Sequence, residues 1–351
     1  MQTQVIDARR QPEAGTQLGG RILREGGLVA FPTETVYGLG ANGLDEQAVR
    51  KIFEAKGRPS DNPLILHVSR KNDVRRLWDI VPEKAQRLMD AFWPGPLTLV
   101  YTKSDIVPDA VTAGLPTVAV RMPDHKTARA LIKAADVPIA APSANASGKP
   151  SPTTAAHVLE DMDGKIPLIL DGGPCRFGVE STVVSVGAQP MILRPGAITK
   201  GMLEAVIGPV RLHKSLLNPL AEGEDAPSPG MKYRHYAPEA EVAVVTGSPE
   251  NIARRILELY DSYTNMRKKC MILATRQTRH FYRGKEYAII GDRERPETLC
   301  ASLFSALREW GSQADVLLCE GLPAEEAGLA FMNRLLRAAG FHCEDSDADH
   351  I

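Results

Sequence analysis

The chain lacks the features that define several large classes of protein. Its 351 residues include only five cysteines, an odd number at wide spacings without a CxxC pair. Such usage is unlike a disulfide framework or a structural zinc site and is typical of reduced thiols in the cytosol. No stretch approaches the roughly 18 apolar residues of a membrane span, and the N-terminus has no apolar signal-peptide core. We therefore expect a soluble, cytoplasmic protein.

Charge of one sign is not in excess either. The formal net charge is −1, from 42 basic and 43 acidic residues. A protein whose whole surface grips nucleic acid needs a positive excess, and strands with interleaved aromatic and basic residues are also missing. A locally basic face remains compatible with this balance, so an RNA-binding module is kept as an alternative to an enzyme.

Several catalytic signatures are absent. There is no GxxxxGK[ST] run, and the eight histidines include no HxH or HxxxH pair, so neither a Walker-type ATP site nor a dedicated zinc site is expected. Residues 38–43 match GxGxxG, but residues 32–37 separate them from the preceding apolar strand. A dinucleotide fingerprint begins directly at the strand end. A tight glycine loop is therefore favoured over a dinucleotide-binding turn. A nicotinamide-dependent oxidoreductase, which would need such a turn, is kept as a third alternative.

Length and patterning predict two α/β domains. In residues 1–209, apolar runs are often followed by turns rather than helices, which predicts a mixed twisted sheet. A helix over 45–55 has Asp45 as N-cap and Gly57 just past its end. The strands expected in this part are 27–31, 63–68, 97–101, 117–121, 166–170 and 181–186.

A linker composition over 210–239 ends in the sequence SPGMKYRHYAP. Strands and helices then alternate regularly over 240–343, which predicts a smaller, Rossmann-like domain with a doubly wound parallel sheet. Residues 344–351 are acidic and are expected to fray. The expected strands are 241–245, 271–274, 287–290 and 316–319, and the expected helices begin at 249, 296 and 325.

Polar segments follow several of the apolar strands. PTETVYGL over 32–39 offers hydroxyls, a carboxylate and a phenol, as ligand-binding loops do. Lys56 and Arg58, at a helix end, suit a polyphosphate, although the helix dipole also favours cations there. The run AAPSANASGKPS over 140–151 is typical of a phosphate or ribose loop, or of a simple connector.

Arg121, at a strand end, is placed to bind the carboxylate of a ligand, or to form a salt bridge on the surface. These segments predict a cleft for anions without a covalent nucleophile, as in nucleotidyl transfer.

Taken together, these motifs resemble the threonylcarbamoyl-AMP synthase family, whose catalytic unit is a YrdC-like domain. The KxR signature matches Lys56 and Arg58, the SxN signature matches Ser143 and Asn145, and the PTETxYGL run matches residues 32–39. The SPGMKYRHYAP linker and GLAFMNRL over 328–335 resemble the longer, two-domain form. The resemblance implies a YrdC-like catalytic domain, a linker that folds as a lid over the active site, and a C-terminal domain.

The resemblance also implies the reaction. Threonine and bicarbonate give N-carboxy-threonine, whose carboxylate attacks the α-phosphorus of ATP, and pyrophosphate leaves with Mg²⁺. The product, L-threonylcarbamoyladenylate, passes to a separate tRNA threonylcarbamoyl transferase that modifies the adenosine next to the anticodon. Direct binding of tRNA to this chain is left open.

The family's functional residues carry over to matching positions. Lys56 and Arg58 would be the catalytic pair, neutralising charge on the phosphates. The implied threonine contacts are Thr35, His67, Arg121 and Ser181, although His67 by itself is more typical of a core histidine. The implied ATP contacts are Lys56, Arg58, Asn62, Thr117, Ser143, Asn145, Ser151, Arg194 and, from the linker, Tyr236 with Lys232.

Overall fold

The structure is a computed structural model that describes residues 2–218 and 235–348. The chain divides into two compact units. The first comprises Met1–Ser147 and Ser151–Tyr233, and the second comprises Gly148–Pro150 and Arg234–Ile351. Among the described residues, no helix is both long enough and apolar enough to cross a membrane.

The first unit contains a mixed sheet with helices packed against it. Its strands are β1 Gln4–Asp7, β2 Val29–Phe31, β3 Gly38–Asn42, β4 Ile65–His67, β5 Leu97–Thr102, β6 Thr117–Arg121, β7 Ile139–Ala140, β8 Leu168–Asp171, β9 Thr182–Ser185, β10 Met191–Arg194 and β11 Arg211–Leu212. Its helices are α1 Pro12–Arg24, α2 Glu46–Lys56, α3 Val74–Leu77, α4 Glu83–Phe92, α5 Asp109–Thr112, α6 Lys126–Ala135, α7 Ala155–Met162 and α8 Lys200–Ile207.

The strand order in this sheet is β1-β8-β2-β3-β7-β4-β6-β5-β9-β10-β11. Parallel and antiparallel pairs both occur, so the predicted mixed sheet is confirmed. Helices α1 and α6 pack with β2 and β8 in one apolar cluster built around Leu23, Phe31, Leu131 and Leu168. This packing fixes the strands whose ends carry the predicted site residues.

Local sequence explains how α2 presents the KxR motif. Asp45 caps the helix, since its side chain accepts hydrogen bonds from the backbone N–H groups of Gln47 and Ala48 at 2.9 and 3.2 Å. Gly57 ends the helix with φ = +61°, a left-handed conformation that favours glycine. Lys56 is therefore the last helical residue, and the chain turns sharply before Arg58.

The GxGxxG run is part of the sheet. Its first five residues form β3, which pairs antiparallel with β2, so the glycines do not form a strand-to-helix turn. A Cβ on Gly40 would lie 2.8 Å from Ile139 Cγ2, so close strand packing explains this glycine. The run does not support a dinucleotide fingerprint.

The second unit contains a five-stranded, all-parallel sheet in the order β14-β13-β15-β12-β16, which confirms the predicted parallel α/β domain. Its elements are β12 Glu241–Thr246, α9 Pro249–Asn265, β13 Cys270–Thr275, β14 Tyr287–Gly291, α10 Pro296–Gly311, β15 Val316–Glu320, α11 Glu326–Ala338 and β16 Cys343–Asp345.

Two predicted boundaries differ from the structure. Glu344 and Asp345, expected to fray, belong to β16, which pairs with β12. Asp347 also accepts a hydrogen bond from the backbone N–H of Ser248 at 2.8 Å, so these contacts order the tail as far as Asp347. Within the predicted linker, residues 211–212 form β11, whereas residues 219–234, including Lys232, lie outside the described residues.

Candidate active site

Backbone hydrogen bonds fasten the PTETVYGL segment to two other polar loops of the first unit. The carbonyl of Tyr37 accepts from the N–H of Ala144 at 2.8 Å, and its N–H donates to the Pro152 carbonyl at 2.9 Å. The Glu34 carbonyl accepts from the N–H of Phe177 at 2.8 Å. The fold thus brings together three segments that are far apart in the sequence, and their side chains line one region.

Arg121 is the centre of the first side-chain group. Its Nη1 donates to Thr35 Oγ1 at 2.9 Å, and its Nη2 lies 2.7 Å from Glu34 Oε1. The side chains of Arg121 and Glu34 are only 4% and 5% exposed. Both Glu34 carboxylate oxygens and Arg121 Nη2 are buried without a hydrogen bond of good geometry within the described ranges. Buried polar atoms of this kind have spare capacity for a polar ligand.

Ser181 extends this group towards β10. The β5–β6 register places Thr98 beside Arg121, and Thr98 Oγ1 lies 2.7 Å from Ser181 Oγ. Arg194, at the end of β10, donates from Nη2 to the same hydroxyl at 3.1 Å and from Nε to the Ser181 carbonyl at 3.1 Å. Strand pairing and these hydrogen bonds therefore place Arg121, Ser181 and Arg194 in neighbouring, buried positions.

His67 is the fourth predicted member, and it lies beside Arg121 in the β4–β6 register. Its Nδ1 is 3.2 Å from the Ile65 carbonyl, which only accepts, so Nδ1 carries a proton. Burial lowers the pKa of His67 to about 3, and the positive charges of Arg121 and Arg194 act in the same direction. The ring is therefore a neutral partner for a ligand.

We expect His67 to stay neutral throughout the physiological pH range. The imidazole carbon–proton NMR signal of His67 is assigned by its absence from the spectrum of His67→Gln. In the wild type, its chemical shift should not change between pH 8 and pH 5. Since the folded pKa lies below the unfolded value of 6.5, stability associated with this residue is present above pH 6.5 and lost as the pH falls towards 3. A titration midpoint between pH 5 and pH 8 would contradict this assignment.

Lys56 joins the KxR and SxN motifs physically. Its side chain is buried, and Nζ donates to the Ser143 carbonyl at 2.5 Å and also to the Asn145 carbonyl. The Ser143 hydroxyl in turn donates to Asn145 Oδ1 at 2.5 Å. An ammonium group held by two carbonyls both shapes this loop and contributes positive charge there.

Arg58 and Asn62 lie just beyond α2. Arg58 Nη2 donates to the carbonyls of Asn62 and Pro63 at 3.2 and 3.3 Å, and its guanidinium carbon is 5.9 Å from the centroid of the Phe53 ring. Asn62 is fully buried, yet its side-chain nitrogen and oxygen have no hydrogen-bond partner in the described part of the chain. A buried amide without partners costs free energy, which a bound ligand would recover.

Asn62 therefore gives a test that separates binding from folding. Asn62→Ala removes an unsatisfied group, so the free energy of unfolding without ligand should change by no more than about 1 kcal/mol. The KM for ATP should rise about tenfold, the effect of losing roughly 1.4 kcal/mol of ligand contact. Asn42→Ala is a matched control, because Asn42 Oδ1 accepts from the Leu44 N–H at 3.1 Å. The control should lose stability without changing the KM for ATP; an unchanged KM in Asn62→Ala would remove Asn62 from the site.

The remaining predicted contacts lie in different places. Ser151 is buried and donates to Glu180 Oε1 at 2.5 Å. Thr117 begins β6 and so lies at the opposite end of that strand from Arg121. Tyr236 belongs to the second unit, where its ring centroid is 4.9 Å from that of Phe304. The predicted nucleotide contacts of these three residues stay predictions.

Sequence reasoning missed three site residues. Glu34 is inside the PTETVYGL segment, so its carboxylate was visible but had no assigned partner. Glu180 directly precedes Ser181, an implied threonine contact, but it had no assigned role. Thr98 had no sequence signal, because only the pairing of β5 with β6 and β9 places it between Arg121 and Ser181.

The site is suited to charge neutralisation rather than covalent catalysis. Burial raises the pKa of Cys175, whose neighbours include Glu34 and Arg121, to about 12, so its thiol is not a thiolate at neutral pH. The described residues contain no group of three or more His, Cys, Asp or Glu side chains able to hold a metal ion. Cations with hydroxyls and amides are the groups that orient phosphates and carboxylates.

Known proteins share both the sequence and the fold. A family model described as telomere recombination matches residues 21–196, and one described as the C-terminal domain of threonylcarbamoyl-AMP synthase matches residues 198–340. The threonylcarbamoyl-AMP synthase of Pyrococcus abyssi is 48% identical over 97% of this chain and 98% of its own length. That of Bacillus subtilis is 51% identical over 91% of both chains.

Solved structures of P. abyssi Sua5 give the same result. A double-alanine variant matches with a TM-score of 0.92 at 47% identity, covering 98% of each chain. A complex of that protein with L-threonine matches with a TM-score of 0.89 at 48% identity, covering 95% of this chain and 96% of the other. The chain therefore belongs to the threonylcarbamoyl-AMP synthase family, in its two-domain form with a YrdC-like catalytic domain, and it is an enzyme of that family.

Proposed function

We propose that this enzyme makes L-threonylcarbamoyladenylate, pyrophosphate and water from L-threonine, bicarbonate and ATP. The threonine amine forms a bond to the bicarbonate carbon, and water leaves from that carbon. The product would pass to a separate transferase for modification of the adenosine next to the tRNA anticodon. The observation that carries the proposal is the buried set of Thr35, Glu34, Arg121 and Ser181, which matches the groups of an amino acid with a hydroxyl side chain. The names of the relatives and the threonine complex of P. abyssi Sua5 support the same substrate.

Each group of threonine has a complementary partner in this set. The Arg121 guanidinium binds the carboxylate, and its existing contact with Thr35 holds the fork in place. The Glu34 oxygens without hydrogen bonds accept from the amino group. Ser181 and the neutral His67 contact the threonine side chain. Because these partners are buried, the carbamate formed at the amine is shielded from bulk water.

ATP lies across the KxR and SxN motifs in this proposal. One carboxylate oxygen of N-carboxy-threonine forms a bond to the α-phosphorus, and the bond from that phosphorus to the bridging oxygen of pyrophosphate breaks. Lys56 and Arg58 neutralise the charge that develops on the phosphates. Mg²⁺ enters as Mg–ATP and is held mainly by phosphate oxygens. Contacts that orient the nucleotide come from Asn62, Thr117, Ser143, Asn145, Ser151 and Arg194; the contact predicted for Tyr236, in the second unit, stays a prediction.

Pyrophosphate release by the purified chain tests the proposal. The assay contains Mg–ATP, with threonine and bicarbonate each present or omitted. We expect release only when both are present, and a product with the mass of threonylcarbamoyladenylate. Serine in place of threonine is the control for the side-chain contacts and should react more slowly. Equal ATP hydrolysis without threonine would show that the proposed reaction is wrong.

A further inference from the structure

A cavity in the first unit is lined by residues that the proposed reaction does not use. It has a volume of about 660 Å³ and opens between α6 and the 3₁₀ turn and short helix that follow β4. None of the residues predicted to bind threonine or ATP lines it. Its volume falls within the roughly 300–1,000 Å³ of small-molecule sites in proteins.

Positive charge is concentrated along this cavity. Lys126, Arg129 and Lys133 line it from α6, and Arg76 lines it from α3. The spacings of three and four residues place the α6 cations on one face of the helix. In the described structure, these four side chains make no hydrogen bond and no ion pair. No protein carboxylate therefore forms an ion pair with these four cations within the described residues.

Two acidic residues also line the cavity, and they do not balance the cations. Asp73 is paired with Arg70, whose Nη2 lies 3.1 Å from Asp73 Oδ1. Asp136 ends α6 in a left-handed conformation with φ = +54° and is exposed. The charge of the lining is thus strongly positive, although the whole chain has a net charge of −1. Such a local field favours a polyanionic ligand.

Apolar residues also line the cavity. Val68, Met122, Ile132 and Val137 are among them, and we call this set the apolar floor. The seven residue-to-residue steps of helix from Lys126 to Lys133 span about 10 Å. A row of cations of that length fits a chain of phosphates better than a single anion, and the apolar floor fits a base or sugar. The volume and the short row of cations match a small polyanion with an apolar part.

We propose that this cavity is a second ligand site, which binds a nucleoside polyphosphate. The phosphates contact Arg76, Lys126, Arg129 and Lys133, and the nucleoside packs on the apolar floor. The site does not depend on the reaction proposed above, because no residue is shared. Its binding should weaken steeply as salt concentration rises, since several exposed cations contribute.

Equilibrium dialysis of the full chain with labelled ATP tests this site. The wild type should bind two ATP molecules per chain. The triple variant Arg76→Gln/Arg129→Gln/Lys133→Gln should bind ATP at the second site at least about tenfold more weakly, because three charge-assisted contacts are lost. The matched control is Arg75→Gln/Lys84→Gln/Arg87→Gln, which removes the same charge from residues that do not line the cavity. This control should retain two sites.

The outcomes separate the two proposals. If Arg58→Ala removes one site and the cavity variant removes the other, both proposals are supported. If Arg58→Ala changes nothing while the cavity variant still loses a site, the second site stands and the proposed ATP contact of Arg58 fails. Unchanged ATP binding in the cavity variant overturns the second site. Loss of tRNA binding with unchanged ATP binding in that variant would also overturn the second site. Arg129→Gln alone replaces the triple variant if the latter does not fold.

Discussion

Replacing Arg58 by alanine should lower the rate of pyrophosphate release by about 100- to 1,000-fold, the usual cost of removing one preorganised electrostatic group from an active site. Arg58 follows the glycine that ends α2 and is held by the carbonyls of Asn62 and Pro63. Its charge is therefore positioned before ATP binds. Because the positive charge is needed most when negative charge develops on the leaving pyrophosphate, kcat should fall more than the KM for ATP rises.

Arg50→Ala is the matched control for this measurement. Arg50 is on the same helix, but its side chain is 62% exposed and its partner among the described residues is Glu46, on the surface. Its replacement should change the rate by less than about twofold, since exposed ion pairs contribute little. A further variant, Arg58→Lys, keeps the charge but loses the fork, so an intermediate rate is expected. If Arg58→Ala retains the wild-type rate, Arg58 is not catalytic.

Arg121→Ala should have the largest effect on stability, with a loss of about 3–5 kcal/mol in the free energy of unfolding, because it leaves a buried carboxylate without its cation. Glu34 is 5% exposed and lies 2.7 Å from Arg121. The same change removes the proposed partner of the threonine carboxylate. The threonine KM should therefore rise much more than the ATP KM in whatever fraction of the variant stays folded. Urea unfolding and initial rates at varied threonine measure the two effects separately.

The double variant Glu34→Gln/Arg121→Ala separates these roles. Removing both charges together avoids an uncompensated buried ion, so the double variant should be more stable than Arg121→Ala alone. Its threonine KM should stay high, because the guanidinium is still missing. A double variant as unstable as the single one would show that the ion pair does not explain the stability of this region. A threonine KM that is unchanged in both variants would contradict the proposed carboxylate contact.

Local patterns predicted the elements well where capping and periodicity are strong. The helix predicted over 45–55 is α2, and Asp45 and Gly57 have the capping roles expected of them. The helix predicted to begin at 249 is α9. The strands predicted over 117–121 and 316–319 are β6 and β15. A short apolar run between turn residues is typical of a buried strand. These signals depend on neighbours within a few residues.

Predictions failed where the answer depends on distant partners. Glu344 and Asp345 have an acidic, tail-like sequence, yet they complete the parallel sheet beside β12. The apolar strand before the 140–151 segment was expected and is β7, but its pairing with both β3 and β4, which brings that segment to the site, was not. Strand pairing of this kind is set by tertiary packing, which propensities within one segment do not encode.

The sequence by itself determined the family, the two α/β units and the chemical types gathered in the site, because motifs and periodicity are local properties. Only the tertiary structure decided that Glu34 pairs with Arg121, that Thr98 bridges to Ser181, and that Lys56 holds the backbone of the SxN loop. It also decided that the cations of α6 and α3 face one cavity. The physical reason is that hydrogen bonds and charge interactions act over a few ångströms in space, whereas these residues are tens of positions apart in the chain.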